Sequence, residues 1–161
     1  MSASHLSEAD FLRAAIAKAR EGIAAGQSPF GSVIVRDAKV VAATHNTVWR
    51  DTDPTAHAEV NNIRAAARAL GTIDLSGCVL YSTCEPCPMC LSAIHWAKIS
   101  RVVFGATIAD AAAAGFSELN VGARQLAKMG GSPLVVEDGL LAEECRALFG
   151  EFLRVSKNKI Y

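Results

Sequence analysis

Two short motifs in the chain contain side chains that bind metal ions and transfer protons. Residues 57–59 read H-A-E, and residues 86–90 read P-C-P-M-C. One imidazole and two thiolates form a donor set that suits zinc, and three protein ligands leave a fourth position open for water. A nearby carboxylate is then free to move protons. We predict one Zn²⁺ per subunit, bound by His57, Cys87 and Cys90, with Glu59 as the catalytic acid and base.

The spacing of these residues supports a common metal site. Cys87 and Cys90 lie three positions apart at the start of a predicted helix, so both sulfur atoms can face one point. Unpaired N–H groups at that helix end favour the thiolate, which is the form that binds metal. Glu59 lies two positions after His57, off the same helix face, and is not expected to be a fourth ligand. Donor types alone leave iron and cobalt open beside zinc.

The cysteine spacing also fits two other kinds of site. A C-x-x-C pair occurs in redox centres, and Cys84, Cys87 and Cys90 have the spacing of an iron–sulfur run. No fourth cysteine follows at the spacing that such a cluster needs. A redox dithiol has no use for the H-A-E motif, so the joint pattern favours zinc-dependent hydrolysis. We expect Cys84 to end a strand near the site, and Cys78 and Cys145 to be core thiols.

Composition narrows the class of protein. With 161 residues and 51% hydrophobic residues, the chain fits one domain, residues 1–161, with a sizeable core. Its 16 basic and 16 acidic side chains balance, so nucleic acid, whose binding usually requires a basic excess, is not an expected partner. The first ten residues lack a signal-peptide pattern, and no apolar run of ~18 residues predicts a membrane span. Five cysteines without a disulfide pattern fit a reducing compartment, and we expect a cytoplasmic protein.

The sequence also predicts the helices that carry the motifs. Ser7 caps a first helix that stops at Gly26. Asp53 and Pro54 open a helix that runs to about residue 70 and carries the H-A-E motif in its first or second turn. Pro86 begins the helix of the cysteine motif. A polar loop is predicted at 49–53, a helical stretch at 111–114, a loop at 115–120 and a last helix at 140–156.

Apolar and β-branched runs predict five strands. They cover residues 29–35, 40–46, 78–82, 101–106 and 134–137, and the first two form a hairpin. After that hairpin, strands alternate with helices along the chain. We therefore expect an α/β fold, a three-layer α/β/α sandwich with a mixed five-stranded sheet.

Taken together, the motifs resemble those of the cytidine-deaminase-like zinc hydrolases. The resemblance covers most of the chain and includes S-P-F-G at 28–31, S-T-C-E-P-C-P-M-C at 82–90 and R-V-V-F-G at 101–105. It implies the cytidine deaminase-like fold and hydrolysis of a ring C–NH₂ group to C=O. Zinc would lower the pKa of its water toward ~7, and Glu59 would pass that proton to a ring nitrogen and later to the departing ammonia.

Within this family, the chain is most similar to the bacterial guanine deaminases. Those enzymes show the P-C-P-M-C run, an A-G-F segment and an N-K-x-x-Y ending, and this chain has P-C-P-M-C at 86–90, A-G-F at 114–116 and the shorter N-K-I-Y at 158–161. This resemblance implies that guanine is converted to xanthine and ammonia, and that the C-terminal segment is exchanged between the two subunits of a homodimer. It also implies a set of contacts with the base, made by Phe30, Asn46, the backbone of Ala58, Glu118 and Tyr161. Glu118 stands where aspartate is expected, and the tail is one residue shorter.

One physical argument favours the same substrate. An ionised carboxylate only accepts hydrogen bonds, and guanine has an N1–H beside the carbon that loses ammonia, so Glu118 can accept from it. Adenine and cytosine have no such ring N–H, and a buried unpaired contact costs ~1–3 kcal/mol. Structural interpretations remain open: Phe30 as core, Asn46 as a loop-shaping residue, Tyr161 as a frayed terminus and Glu118 as a solvated loop residue.

Other functions remain open from the sequence. Bacterial tRNA-adenosine deaminases share many of the same strand and helix segments. The neutral net charge and the short C-terminal end of this chain argue against RNA as its substrate. Cytosine, a nucleoside or an aminotriazine are further possible substrates of the same chemistry. Outside enzymology, the chain could be a non-catalytic zinc-binding module, but an intact Glu59 beside three ligands argues against that.

Overall fold

The computed structural model describes residues 6–157 and 159–161. Within these ranges the chain forms one five-stranded sheet with helices on both faces. The strands are β1 (Gly31–Arg36), β2 (Lys39–His45), β3 (Val79–Cys84), β4 (Arg101–Ala106) and β5 (Val135–Glu137). The helices are α1 (Glu8–Ala24), α2 (Val48–Asp51), α3 (Ala58–Leu70), α4 (Pro88–Trp96), α5 (Ile108–Ala113), α6 (Ala123–Met129) and α7 (Ala142–Val155).

The sheet is mixed, with the strand order β2-β1-β3-β4-β5. β1 pairs antiparallel with β2 and β3, while β4 pairs parallel with β3 and β5. Parallel neighbours end at the same sheet edge, so Cys84 at the end of β3 lies beside Ala106 at the end of β4. The cysteine motif follows directly from this edge, and Cys84 is a strand-end residue as predicted.

Alternating side chains of each strand divide between two cores. Val33 and Val35 face a core that includes residues of α1 and α7, whereas Ile34 between them faces a core that includes residues of α3, α4 and α6. This arrangement is the predicted three-layer α/β/α sandwich. Cys145 belongs to the first core and Cys78 to the second, which confirms both as buried core thiols.

The helix after His57 begins later than predicted. Asp53 does not cap it, because its carboxylate accepts hydrogen bonds from the N–H and the hydroxyl of Thr55, at 2.8 and 2.6 Å, in an Asx turn. Instead, α3 begins at Ala58 with His57 as its N-cap and stops at Gly71, whose φ is +65°. The prediction of a helix from residue 54 was therefore wrong, and the loop predicted before it contains the short helix α2.

α4 also begins two residues later than predicted, at Pro88 and not at Pro86. The residue before a proline is disfavoured in the helical region, so Cys87 takes an extended conformation and becomes the N-cap. Pro88 suits the first helical position because its φ is preset and it has no N–H to leave unpaired. Cys90 then lies in the first turn.

The remaining helices agree largely with the sequence pattern. Ser7 and Asp10 form a capping box at the start of α1, and α7 covers most of the predicted last helix. α6 was not predicted, and with α5 it brackets the loop 114–122. Among the helices in the described part of the chain, none has both the length and the apolar character that crossing a membrane requires.

Candidate active site

The predicted metal ligands come together where α3 and α4 begin. His57 and Cys87 are the N-cap residues of these helices, and neither side chain caps its own helix. Each therefore points its donor atom away from the helix and toward the other. Nδ1 of His57 lies 3.7 Å from Sγ of Cys87 and 3.5 Å from Sγ of Cys90. Across residues 6–157 and 159–161, these three residues form the one cluster of metal-binding donors.

The distances fit a zinc ion. With Zn–N and Zn–S bonds of about 2.0 and 2.3 Å, tetrahedral geometry separates nitrogen from sulfur by about 3.5 Å. The observed separations of 3.7 and 3.5 Å agree with that value. A mixed nitrogen and sulfur donor set is also typical of zinc. The separations between His57 and the two cysteines are therefore compatible with a shared zinc ion.

The two thiols influence each other's ionisation before a metal binds. Hydrogen bonding from Cys90, aided by His57, lowers the pKa of Cys87 to about 4. Interaction with the Cys87 thiolate, together with burial, raises the pKa of Cys90 well above its usual range. Burial opposes the charge of His57, but the Cys87 thiolate raises its pKa overall. One thiolate thus forms readily, and a cation favours loss of the second proton, as metal binding to cysteine requires.

Glu59 lies in the first turn of α3, beside the cluster but outside it. Its side chain is buried, and Oε1 accepts a hydrogen bond of 3.0 Å from the hydroxyl of Ser82 on β3. Burial raises the pKa of the Glu59 carboxyl group. A buried carboxyl group that one donor orients beside a metal centre is placed to transfer protons.

A cavity of about 340 Å³ opens in front of the cluster. Its volume falls in the range of ~300–1,000 Å³ that is usual for small-molecule sites. Six of the nine residues predicted for the site line its wall, namely Phe30, His57, Glu59, Cys87, Glu118 and Tyr161. Cys84 and Glu85 also line it.

Aromatic side chains form one part of the cavity wall. Phe30 packs edge-to-face on Phe116 at 5.0 Å between ring centroids, and Phe116 packs edge-to-face on Tyr161 at 6.0 Å. Trp49, which the sequence did not assign to the site, packs edge-to-face on Tyr161 at 5.9 Å. The terminal residue is thus enclosed by aromatic rings. Asn158, the first residue of the N-K-x-Y ending, lies outside the described residues.

Asn46, Ala58 and Cys90 are fully buried and do not line the cavity. The Asn46 amide donates to the Tyr161 hydroxyl at 2.8 Å and accepts from the N–H of Val48 at 3.1 Å. Ala58 is the first residue of α3, and its carbonyl accepts a hydrogen bond from Thr44. The observed contacts of Asn46 therefore hold Tyr161 and the start of α2.

Glu118 lies in the loop 114–122, where it is half-buried and lines the cavity. Burial, followed by repulsion from the Cys87 thiolate, raises the pKa of its carboxyl group to about 7. A bound cation opposes that shift, because it replaces a nearby negative charge with a positive one. Glu118 is thus placed as a cavity residue and not as a solvated loop residue.

Sequence reasoning missed Ser82 and Glu85. Ser82 contacts Glu59, and the Glu85 carboxylate accepts hydrogen bonds from the N–H groups of Ile108 and Ala123. Both lie inside the stretch 82–90 that carries the family resemblance. Two sequence signals could have found them. Ser82 is a polar residue on a buried strand, and Glu85 is a carboxylate two positions before the metal ligand Cys87.

Comparison with known proteins identifies the protein family to which this chain belongs. A model of the "Cytidine and deoxycytidylate deaminase zinc-binding region" matches residues 6–106, and the chain belongs to this family. Its His57, Cys87 and Cys90 cluster is the family's zinc-binding triad. The chain is accordingly a zinc-dependent hydrolase that deaminates a nucleobase or nucleoside.

Individual relatives are similar over much of their length. Guanine deaminase of Bacillus subtilis is 50% identical over 109 residues, which are 67% of this chain and 70% of the relative. The tRNA-specific adenosine deaminase of the same organism is 34% identical over 149 residues, covering 92% and 90% of the two chains. A solved structure of guanine deaminase from Nitrosomonas europaea superposes with a TM-score of 0.83 at 27% identity, covering 91% of this chain and 84% of that one.

Proposed function

We propose that this chain deaminates guanine, converting guanine and water to xanthine and ammonia. The observation that carries the proposal is the position of Glu118, a half-buried carboxylate that lines the same cavity as the zinc triad. When ionised, it can accept a hydrogen bond from the N1–H of guanine, next to the C2 carbon that loses ammonia. The 50% identity with a guanine deaminase supports the same substrate.

The side chains of the site have separate roles in the reaction. When bound by His57, Cys87 and Cys90, zinc supplies the Lewis acidity that lowers the pKa of a water molecule toward ~7. Glu59 takes a proton from the attacking water and delivers one to N3 of the ring, beside C2. It then takes the remaining proton from the hydroxyl added at C2 and transfers it to the amino group, so that the C2–N bond breaks, ammonia leaves and C2=O forms. Ser82 orients the Glu59 carboxylate during both transfers.

We assign the rest of the cavity to binding of the base. Phe30 and Phe116 offer apolar ring surfaces on which a planar purine can pack. Tyr161 contributes a further ring, which Asn46 holds through the tyrosine hydroxyl. The backbone of Ala58 starts a helix close to the metal ligand His57 and is a further candidate contact.

A panel of aminated heterocycles tests the proposal. Purified zinc-loaded protein is given guanine, guanosine, adenine, cytosine, cytidine and an aminotriazine, and released ammonia is measured. We expect the highest kcat/KM with guanine, and the product to be xanthine. Preference for any other member of the panel overturns the assignment of guanine. Bound zinc without ammonia release from any substrate would instead support a non-catalytic zinc-binding module.

A second candidate is deamination of adenosine in tRNA. The observation in its favour is the 34% identity with a tRNA-specific adenosine deaminase across 92% of this chain. Against it stands the formal net charge of zero, since RNA binding usually requires a basic surface. Incubation with an anticodon stem-loop, followed by measurement of inosine, distinguishes the two candidates.

A further inference from the structure

Glu85 connects the cysteine motif to the first residues of α5 and α6. Its Oε2 accepts a hydrogen bond of 2.9 Å from the N–H of Ile108, and its Oε1 accepts one of 2.7 Å from the N–H of Ala123. Its own N–H donates to the carbonyl of Ala106 at 2.8 Å. Two residues further along the chain is the metal ligand Cys87. One side chain therefore joins the metal-binding loop to the segment that follows β4.

The two N–H groups mark the ends of the segment that carries Glu118. Ile108 is the first residue of α5 and Ala123 the first residue of α6, and the loop 114–122 lies between these helices. Because one carboxylate holds both helix starts, the ends of that segment are fixed relative to each other. A Cβ atom at residue 122 would lie 3.3 Å from Oε1 of Glu85, so a larger residue in place of Gly122 would displace this contact by a few tenths of an ångström.

We propose that Glu85 is a positioning residue that sets where Glu118 and Phe116 stand relative to the zinc ligands. The expected effect on KM for guanine rests on the proposed function, whereas the expected effect on amide hydrogen exchange does not. A carboxylate has only acceptors, so both N–H groups are satisfied at once. Glutamine has nearly the same shape, yet its NH₂ group would face one of the two N–H donors. Glu85→Gln therefore loosens one end of the segment without creating a cavity.

The contacts of Glu85 point to positioning and not to proton transfer. Both of its oxygen atoms accept from backbone N–H groups, whereas Glu59 accepts from the Ser82 hydroxyl and adjoins the metal cluster. A residue that only orients the base-binding loop should affect binding more than chemistry. We expect Glu85→Gln to raise KM for guanine by about tenfold, to change kcat by less than about threefold, and to leave zinc content unaltered.

Amide hydrogen exchange gives a readout independent of the substrate. In Glu85→Gln, exchange at Ile108 or Ala123 should accelerate, while the strand amides of Leu80 and Val102 should not. The matched control is Glu151→Gln, since the two oxygens of Glu151 also accept two hydrogen bonds, but from Arg20 on the surface. This control should leave KM and the exchange at both helix starts unchanged.

A double variant tests whether Glu85 acts through Glu118. If it does, Glu85→Gln should add little to the KM of Glu118→Gln, whereas independent contacts with the base would give additive effects. Unchanged exchange at both Ile108 and Ala123, or fully additive effects, overturns the positioning role. If guanine is not deaminated at all, the proposed function fails, and the exchange result still decides the role of Glu85.

Discussion

The hydroxyl of Ser82 donates a hydrogen bond of 3.0 Å to the carboxylate of Glu59, and both side chains are buried between α3 and the sheet. Ser82 pairs across β1 and β3 with Ser32, whose hydroxyl accepts from Asn62 at 2.9 Å. Asn62 lies about one turn after Glu59 on α3. Ser32 and Ser82 on neighbouring strands thus hydrogen-bond to Asn62 and Glu59 of α3. These two contacts fix the position of the Glu59 carboxylate relative to the sheet.

Removing the Ser82 hydroxyl should weaken catalysis without removing zinc. In Ser82→Ala, Glu59 loses its donor, and leaving a buried polar group short of a partner costs ~1–3 kcal/mol. We expect kcat to fall by about tenfold, which corresponds to about 1.4 kcal/mol. Ammonia release and zinc content are measured together. Ser92→Ala is the control, because its exposed hydroxyl donates only to the carbonyl of Pro88. Equal rates in the two variants would show that Ser82 does not orient Glu59.

Replacing Glu59 should separate metal binding from turnover. Glu59 is not a member of the metal cluster, so Glu59→Ala should retain one zinc per chain. General acid–base catalysis contributes about 10²–10⁴-fold, and ammonia release should fall by at least that factor. Zinc is measured by atomic emission and ammonia by a coupled assay. Turnover comparable to that of the unmodified protein would exclude the proton-transfer role.

Zinc should stabilise the fold through the triad. A ligand present at 1,000 times its Kd stabilises the native state by about 4 kcal/mol. Chelation should therefore lower the Tm of the protein, and the difference between zinc-loaded and chelated samples should shrink in Cys87→Ala. Cys78→Ala is the control, since this buried core thiol lies outside the cluster. It should lower both Tm values and preserve the difference between them.

The strands and the metal ligands could be predicted because their signals are local. Runs such as 101–106 are apolar and β-branched, and the predicted span matches β4. The starts of α3 and α4 could not be predicted as well, because each offers competing signals. Asp53-Pro54 has the composition of a helix start, but Asp53 bonds to Thr55 two residues on. Pro86 and Pro88 are both suited to a first helical position.

The supporting contacts of the site depend on tertiary structure. Ser82 and Glu59 are 23 residues apart, as are Glu85 and Ile108, and these contacts form only once β3, β4 and α3 have their register. Trp49 reaches Tyr161 through the short helix α2, which was predicted as a loop. The sequence marks Ser82 as a polar residue on an apolar strand and Glu85 as a carboxylate near a metal ligand, but it does not show which partner either side chain contacts.

Glu118 should make the stability of the zinc-free protein depend on pH. Its folded pKa of about 7 lies above the ordinary value of 4.5, so between these values the native state binds more protons than the unfolded state. The free energy of unfolding therefore falls as pH rises through this window and levels off above it. In Glu118→Gln that contribution disappears. Urea denaturation from pH 4.5 to 8 measures the difference, and identical pH dependence in both proteins would contradict the shift.

Exchange of the C-terminal segment between subunits remains a prediction, and mixed dimers can test it. In the single chain, Tyr161 packs at its own site, and its carbonyl accepts from the N–H of Ser117 at 3.1 Å. One variant carries Glu59→Ala, and the other lacks residues 159–161, so each alone should be inactive. If tails are exchanged in a homodimer, a mixed dimer has one site with an intact Glu59 and a tail from the partner. Random mixing should then restore about a quarter of the original activity.

The control mixes the truncated chain with a chain that has both changes. No subunit in that mixture supplies a tail, so activity should stay absent. Light scattering establishes that dimers form, and zinc content establishes that each variant is folded at the metal site. If dimers form with full zinc and the first mixture is still inactive, each tail serves its own subunit, as the packing of Tyr161 on its own chain permits. That outcome would contradict exchange while leaving the proposed deamination intact.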